Sequence, residues 1–115
     1  MRLVFMGSAS LSCSSLKALA DDGTFEISAV VTQPDKSKGR HLIVSECPVK
    51  ELARTMKFPV LTPSKVNNPE FITDLKKINP DLIVVIAYGQ ILSREILDIP
   101  SKGCVNLHAS LLPKY

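Results

Sequence analysis

Leu82-Ile83-Val84-Val85-Ile86 follows Asn79-Pro80-Asp81 and runs into Ala87-Tyr88-Gly89. Asn-Pro ends a helix, because the proline ring disfavours helical geometry in the residue before it. The apolar residues that follow show no polar alternation, so both of their faces are covered. A strand buried on both faces belongs to a parallel sheet with helices on either side.

Outward from that stretch, the chain supplies partners of the same kind. Leu3-Val4-Phe5-Met6 is a buried strand ending at Gly7. Phe25 to Thr32, rich in Val and Ile, is another. Val60-Leu61 is short, and Cys104-Val105-Asn106-Leu107-His108 is the last. Between them lie helices. Ser12 to Ala20 has Leu16, Leu19 and Ala20 at helical spacing and stops at Asp21-Asp22-Gly23. Pro48 to Met56 opens on a proline, where the missing N–H is harmless. Pro69 to Ile78 carries Phe71, Ile72, Leu75 and Ile78 on one face, and Ser93 to Leu97 is short. Gln33 to Glu46 reads as a long loop, because Pro34, Asp35, Ser37, Lys38 and Gly39 are turn formers. Within it, Leu42-Ile43-Val44 either packs down or forms a short strand. The alternation β-α-β-α-β-α-β-α-β predicts an α/β fold with a doubly wound, mostly parallel, Rossmann-like sheet. Ligands of such sheets bind outside the carboxyl ends of the strands. The ends that matter are Gly7, Thr32-Gln33, Ala87-Tyr88-Gly89 and Asn106 to Ser110.

The 115 residues suit one small domain. With 45% hydrophobic and 22% charged residues, the balance is globular and excludes a disordered chain. A net charge of +3 is mildly basic, without the Lys/Arg clustering that identifies a nucleic-acid binder unaided. Cys13, Cys47 and Cys104 have no C-x-x-C spacing, which argues against a disulfide framework and a zinc site and fits a reducing cytoplasm. Neither the short run before Gly7 nor Leu82 to Ala87 is long enough for a signal-peptide core or a membrane span, so no membrane association is expected.

The first strand leads into Gly7-Ser8-Ala9-Ser10, with only the first glycine of G-x-G-x-x-G. A plain turn and an anion at the helix start both remain open there. In the last strand, alternation puts Asn106 and His108 on one side. An amide and an imidazole together can hold a carbonyl oxygen as it becomes an oxyanion. A hydrogen-bonded strand-end histidine beside a turn asparagine is the alternative. His41 reads as a solvated loop residue, and Ser14-Ser15 and Ser110 lack the G-x-S-x-G setting of a nucleophile. No residues have metal-ligand spacing. Lys36, Lys38 and Arg40 form a small basic cluster, either a solvated run or a contact for a phosphate backbone.

Taken together, these segments resemble the folate-dependent formyltransferases, and among them the methionyl-tRNA formyltransferases. The resemblance rests on Arg2-Leu3-Val4-Phe5-Met6-Gly7, on Val31-Thr32-Gln33-Pro34-Asp35-Lys36 with Gly39-Arg40, and on Pro48-Val49-Lys50-Glu51-Leu52-Ala53. It continues through Asn79 to Leu92 and ends in Asn106-Leu107-His108-Ala109-Ser110-Leu111-Leu112-Pro113-Lys114-Tyr115. Two segments depart from the pattern: Ser8-Ala9 stands where the family has Thr-Pro, and His41-Leu42-Ile43-Val44 where it tends to carry lysines. The resemblance implies the formyltransferase fold and transfer of a formyl group from 10-formyltetrahydrofolate to the α-amino group of initiator methionyl-tRNA. It implies Asn106 and His108 as catalytic residues. It further implies that Tyr88, Gly89, Gln90, Ile91, Leu92, Ser110, Leu111, Leu112 and Pro113 line the reduced-folate site. By the same likeness Arg40, with Lys36 and Lys38, meets the tRNA. A catalytic Asp a few dozen residues past the signature and a second, carboxy-terminal domain belong to the family's pattern. Residues 1–115 are therefore expected to be an incomplete amino-terminal catalytic domain, inactive alone, of a cytoplasmic, monomeric enzyme. A formyltransferase acting on a small amine, such as glycinamide ribonucleotide or an amino sugar, is the alternative within enzymes. A nonenzymatic nucleotide-binding module is the alternative outside them.

Overall fold

Strand β1 (Arg2–Gly7), helix α1 (Ser12–Asp21) and strand β2 (Glu26–Val31) open the chain. The computed structural model describes residues 1–34, 36–38, 43–45 and 47–107. After β2 come the short strands β3 (Lys36–Lys38) and β4 (Ile43–Ser45), then α2 (Pro48–Thr55) and β5 (Val60–Leu61). They are followed by α3 (Pro69–Ile78), β6 (Leu82–Ile86), α4 (Arg94–Leu97) and β7 (Cys104–Leu107). Five strands make the main sheet in the order β5-β2-β1-β6-β7, and every pairing is parallel.

Alternation along β1 and β6 divides the core into two layers. Leu3, Phe5, Val84 and Ile86 pack with Leu16 of α1 and with Val49 and Ala53 of α2. Val4, Met6, Ile83 and Val85 pack on the other face with Phe71, Ile72 and Leu75 of α3 and Ile96 of α4. Helices thus cover both faces, as the unbroken apolar run in β6 requires. In β2 the alternation slips once. Leu3 pairs with Ile27 but Val4 with Ala29, so Ser28 is an extra residue, a bulge. The slip lets Ile27 and Val30 face the same layer.

Caps fix the helix ends. Asn68 Oδ1 accepts from the Glu70 N–H at 2.7 Å, and Pro69 occupies the position where no N–H is needed. Asn79 closes α3 in the left-handed region at φ 54°, and Pro80 prevents any continuation. Ser93 Oγ accepts from the Ile96 N–H at 3.3 Å to start α4.

The segment expected as one long loop contains an antiparallel ladder instead, with Lys36 opposite Ser45 and Lys38 opposite Ile43. Pairing satisfies backbone groups that a loop leaves to water. Of the two options for the apolar stretch, Ile43 and Val44 take the strand; Leu42, Asp35, Gly39 and Glu46 lie outside the described residues.

From β1 the chain winds outward through β2 to β5, then crosses to β6 and β7 on the other side. The reversal places the switch point between β1 and β6 at their carboxyl ends. The two strands come close there. A Cβ on Gly7 would sit 2.8 Å from the Ile86 carbonyl oxygen. Gly7→Ala therefore lowers the unfolding free energy by roughly 2–3 kcal/mol in urea titration. Gly23→Ala, with nothing within 4 Å of the new methyl group, changes it by about 0.5 kcal/mol or less.

Candidate active site

Two residues after β6 have positive φ: Ala87 at 50° and Gly89 at 97°. The first is a strained choice for a residue with a side chain; the second suits glycine. Such strain persists where the surroundings hold it in place, and here they do. From the end of β2, Gln33 Nε2 donates to the Tyr88 carbonyl at 3.0 Å, and its Oε1 accepts from Gln90 Nε2 at 3.0 Å. The Gln33 N–H donates to Ser8 Oγ at 2.9 Å, and the Ser8 N–H donates to the Ala87 carbonyl at 3.2 Å. The carboxyl ends of β1, β2 and β6 are thus tied together.

A second set of bonds holds the turn from the approach to α3. Gln90 Oε1 accepts from the Val66 N–H at 2.8 Å, and Gln90 Nε2 also donates to the Ser64 carbonyl at 3.1 Å. Asn67 Nδ2 donates to the Ile91 carbonyl at 3.0 Å, while its Oδ1 accepts from the Ser93 N–H at 2.8 Å. Among the described residues, the backbone N–H groups of Gly89 to Leu92 have no protein acceptor. Ile91 is 88% exposed.

Tyr88 faces the other way. It is 2% exposed and packs with the α3 and α4 layer. Among the described residues its hydroxyl has no partner, and burial pushes its pKa up to about 12. The ring of Tyr88 belongs to the core; its carbonyl, held by Gln33, belongs to the rim.

A cavity of about 250 Å³ lies beside the turn, with Gln90, Ile91 and Leu92 on one side and Leu97, Cys104 and Asn106 on the other. Among the described residues its lining joins the apolar Val85, Ile91, Leu92 and Leu97 to Gln90, Cys104 and Asn106. Burial, and then the nearby Asp98, raise the Cys104 pKa and keep the thiol protonated. Asn106 reaches this cavity because β7 pairs with β6 in a register that sets it opposite Val85. A wider concavity of about 660 Å³ lies against Gly89, Gln90 and Ile91 and is bounded by Lys65, Asn67 and Asn68.

Of the residues expected to act, Asn106, Gln90, Ile91 and Leu92 meet around one cavity. Lys36 and Lys38 lie in β3, which follows the carboxyl end of β2. His108, Ser110, Leu111, Leu112, Pro113, Arg40 and His41 lie outside the described residues. Among the described residues there is no cluster of three or more His, Cys, Asp or Glu fit for a metal, and no helix is long and apolar enough to cross a membrane. Sequence reasoning missed the bridging role of Gln33 and the clamp by Asn67. The first stood in view as a strand end; the second had no signal apart from the capping Asn68 beside it.

A parallel sheet wound both ways from β1, with a held, strained turn and a small cavity at its carboxyl rim, defines an α/β protein of the doubly wound class. A profile described as formyl transferase matches residues 1–115, and the chain belongs to that family. It is 56% identical to a methionyl-tRNA formyltransferase of Caldanaerobacter subterraneus subsp. tengcongensis, over 100% of this chain and 37% of that protein. It is 50% identical to one of Geobacter sulfurreducens, over 100% of this chain and 36% of the relative. The chain thus spans a little over a third of the length of these relatives. Among solved structures, a phosphoribosylglycinamide formyltransferase of Anaplasma phagocytophilum superposes with a TM-score of 0.69 at 21% identity, covering 100% of this chain and 52% of that one. A glycinamide ribonucleotide transformylase of Symbiobacterium toebii gives 0.70 at 18% identity, over 100% and 54%. These two share the fold.

Tyr88 gives this rim a pH signature. An exposed tyrosine ionises near 10, whereas the folded chain holds Tyr88 neutral to about 12. The fold's preference for the neutral ring is complete below pH about 10 and is lost as the pH rises towards 12. Thermal midpoints across that window fall less steeply for Tyr88→Phe than for the parent. At neutral pH the substitution, which removes an unpaired hydroxyl, leaves stability unchanged or raises it by about 1 kcal/mol.

Proposed function

We propose that the protein to which this chain belongs transfers a formyl group from 10-formyltetrahydrofolate to the α-amino group of initiator methionyl-tRNA, the reaction that prepares the initiator for translation. The observation that carries the reading is the meeting of Asn106 with Gln90, Ile91 and Leu92 around one cavity at the carboxyl rim. The names of relatives 50–56% identical over the whole chain support the acceptor.

The residues present fit a reduced folate. Apolar walls at Ile91, Leu92 and Leu97 suit the faces of a flat heterocycle, and the N–H groups from Gly89 to Leu92, without an acceptor among the described residues, suit its acceptor atoms. The donor supplies an activated formyl carbon, to which the amine of the acceptor adds. Asn106, which lines the cavity from β7, donates a hydrogen bond to the formyl oxygen as negative charge gathers on it. His108, two residues further on, supplies a second, charged donor. A carboxylate that orients the imidazole comes from an Asp later in the polypeptide. Ser110, Leu111, Leu112 and Pro113 complete the folate pocket with Tyr88 and Gly89, the first of these two through its carbonyl. Arg40, Lys36 and Lys38, on the segment after β2, meet the phosphates of the tRNA acceptor end. Residues 1–115 are then the front part of a catalytic domain, followed by the rest of that domain and by a carboxy-terminal domain. The enzyme works as a monomer in the cytoplasm.

A small-amine acceptor is the competing reading within the same chemistry. The solved structures that carry such names are 18–21% identical and bear on the fold alone. The deciding assay gives the purified full-length gene product 10-formyltetrahydrofolate with either methionyl-tRNA or glycinamide ribonucleotide. Formylation of the tRNA alone is expected. Asn106→Ala in that protein lowers kcat by about 10²–10³ with the fold retained. An unchanged kcat removes Asn106 from the mechanism, and formylation of the small amine instead of the tRNA overturns the acceptor. The isolated 115-residue chain shows no turnover.

A further inference from the structure

Gln33 does not line the cavity, yet it makes three bonds across the rim to Ser8, Tyr88 and Gln90. Its N–H donates to Ser8 Oγ at 2.9 Å, its Nε2 donates to the Tyr88 carbonyl at 3.0 Å, and its Oε1 accepts from Gln90 Nε2 at 3.0 Å. We propose that Gln33 is a positioning residue for the folate-binding turn, setting the place of Gly89 to Leu92 through the Tyr88 carbonyl and the Gln90 carboxamide. The inference rests on the folate reading of this site.

The side-chain chemistry is restrictive. The position needs a donor and an acceptor on one planar head at the reach of two methylenes. Glutamate offers no donor when ionised, lysine offers no acceptor, and asparagine is one methylene too short. Orientation also propagates along the network. The Tyr88 carbonyl can only accept, so it fixes which end of the Gln33 amide faces it. The Gln33 oxygen then turns the NH₂ of Gln90 towards itself, and the Gln90 oxygen is left to accept from the Val66 N–H at 2.8 Å. A relay of two amides thus links the end of β2, the turn after β6 and the approach to α3.

Gly89 adds the steric half of the argument. A Cβ there would lie 3.0 Å from Gln33 Nε2, so the turn and the glutamine are packed as closely as a glycine permits. The strained Ala87, at φ 50°, has its carbonyl held by the Ser8 N–H, and Ser8 in turn holds Gln33. Without the amide of Gln33 the turn keeps Asn67 at Ile91 and Ser93 and the Gln90 bonds to Val66 and Ser64, but loses the anchor at the Tyr88 carbonyl and the link from β2 to Gln90. The expected result is a folded protein with the turn displaced. Displacements on the order of an ångström weaken catalysis far more than stability.

The test uses the full-length gene product and follows thermal midpoint, kinetics with the formyl donor and kinetics with methionyl-tRNA. Gln33→Leu keeps the size and removes both side-chain bonds. It is expected to lower kcat/KM for the donor by about 30-fold or more, the scale of two lost hydrogen bonds and a misplaced turn. The KM for methionyl-tRNA stays within about twofold and the midpoint falls by only a few degrees. Gln33→Glu supplies a distinct signature. Its carboxylate opposes the Tyr88 carbonyl, but its protonated form regains the donor. Donor kcat/KM of Gln33→Glu relative to the parent therefore rises as the pH is lowered from about 8 to about 5.5. An unchanged donor kcat/KM in Gln33→Leu overturns the proposal, and so does a parallel loss of both substrates' parameters with the midpoint. A pH-independent ratio for Gln33→Glu overturns it as well. A parent protein that makes no use of reduced folate removes the functional reading and this inference together, which separates that failure from a failure of Gln33 alone.

Discussion

Leu3, Val4, Phe5 and Met6 are each 0% exposed, so β1 has water on neither face. Its backbone polar groups can then be satisfied only by strands on either side, and β2 and β6 supply them in parallel register. Alternating side chains need a helical layer on each face, which α1 with α2 and α3 with α4 provide. Each such residue contributes about 1.5–3 kcal/mol by leaving water, which makes this strand the hardest to replace. The constraint also sets the place of function. A central strand served from both sides forces the chain to reverse its winding there, and the reversal opens the rim where the loops after β1, β2 and β6 meet.

The rim trades regular structure for precision of placement. Gly7 allows β1 and β6 to approach so closely that a methyl group does not fit, and the next turn carries positive φ at Ala87 and Gly89. These geometries cost energy that local sequence does not repay. Ser8, Gln33, Gln90 and Asn67 offset the cost with side-chain bonds to backbone groups. The outcome is a turn with fixed carbonyls, N–H groups that have no acceptor among the described residues, and a cavity against Asn106.

Much of the scaffold was legible because its signals are local. Asn68-Pro69 and Asn79-Pro80 bracket α3, and the apolar run Leu82–Ile86 is the whole of β6. Asn106 stood out as a polar residue at the end of a strand, and its place at the cavity follows from the pairing of β7 with β6. Other features had no local signal. The β3–β4 ladder is three residues a side, too short for periodicity to separate it from a loop. The bulge at Ser28 sits inside an unbroken run of strand-forming residues, and only the partner strand reveals the slip. Tyr88 follows a strand end, in a turn whose part in a pocket is expected partly through backbone groups; that its ring fills the core between the sheet and α3 shows only in the finished fold. The Gln33–Gln90 pair spans 57 residues of sequence, so its bond is a product of the finished fold. The family resemblance pointed to both residues while giving no hint that they touch.

The central claim is that a reduced folate binds at the carboxyl rim between the turn after β6 and Asn106. It is tested most directly by following backbone amide NMR shifts of the full-length protein during titration with a reduced folate. The account predicts that Gly89, Gln90, Ile91, Leu92 and Asn106 shift together and saturate together. It also predicts that Gly23, Thr24, Lys102 and Gly103, in the turns before β2 and β7 at the opposite edge, stay in place. Saturable shifts confined to that opposite edge, or to the groove at Lys65 and Asn68 with Asn106 unmoved, would contradict it.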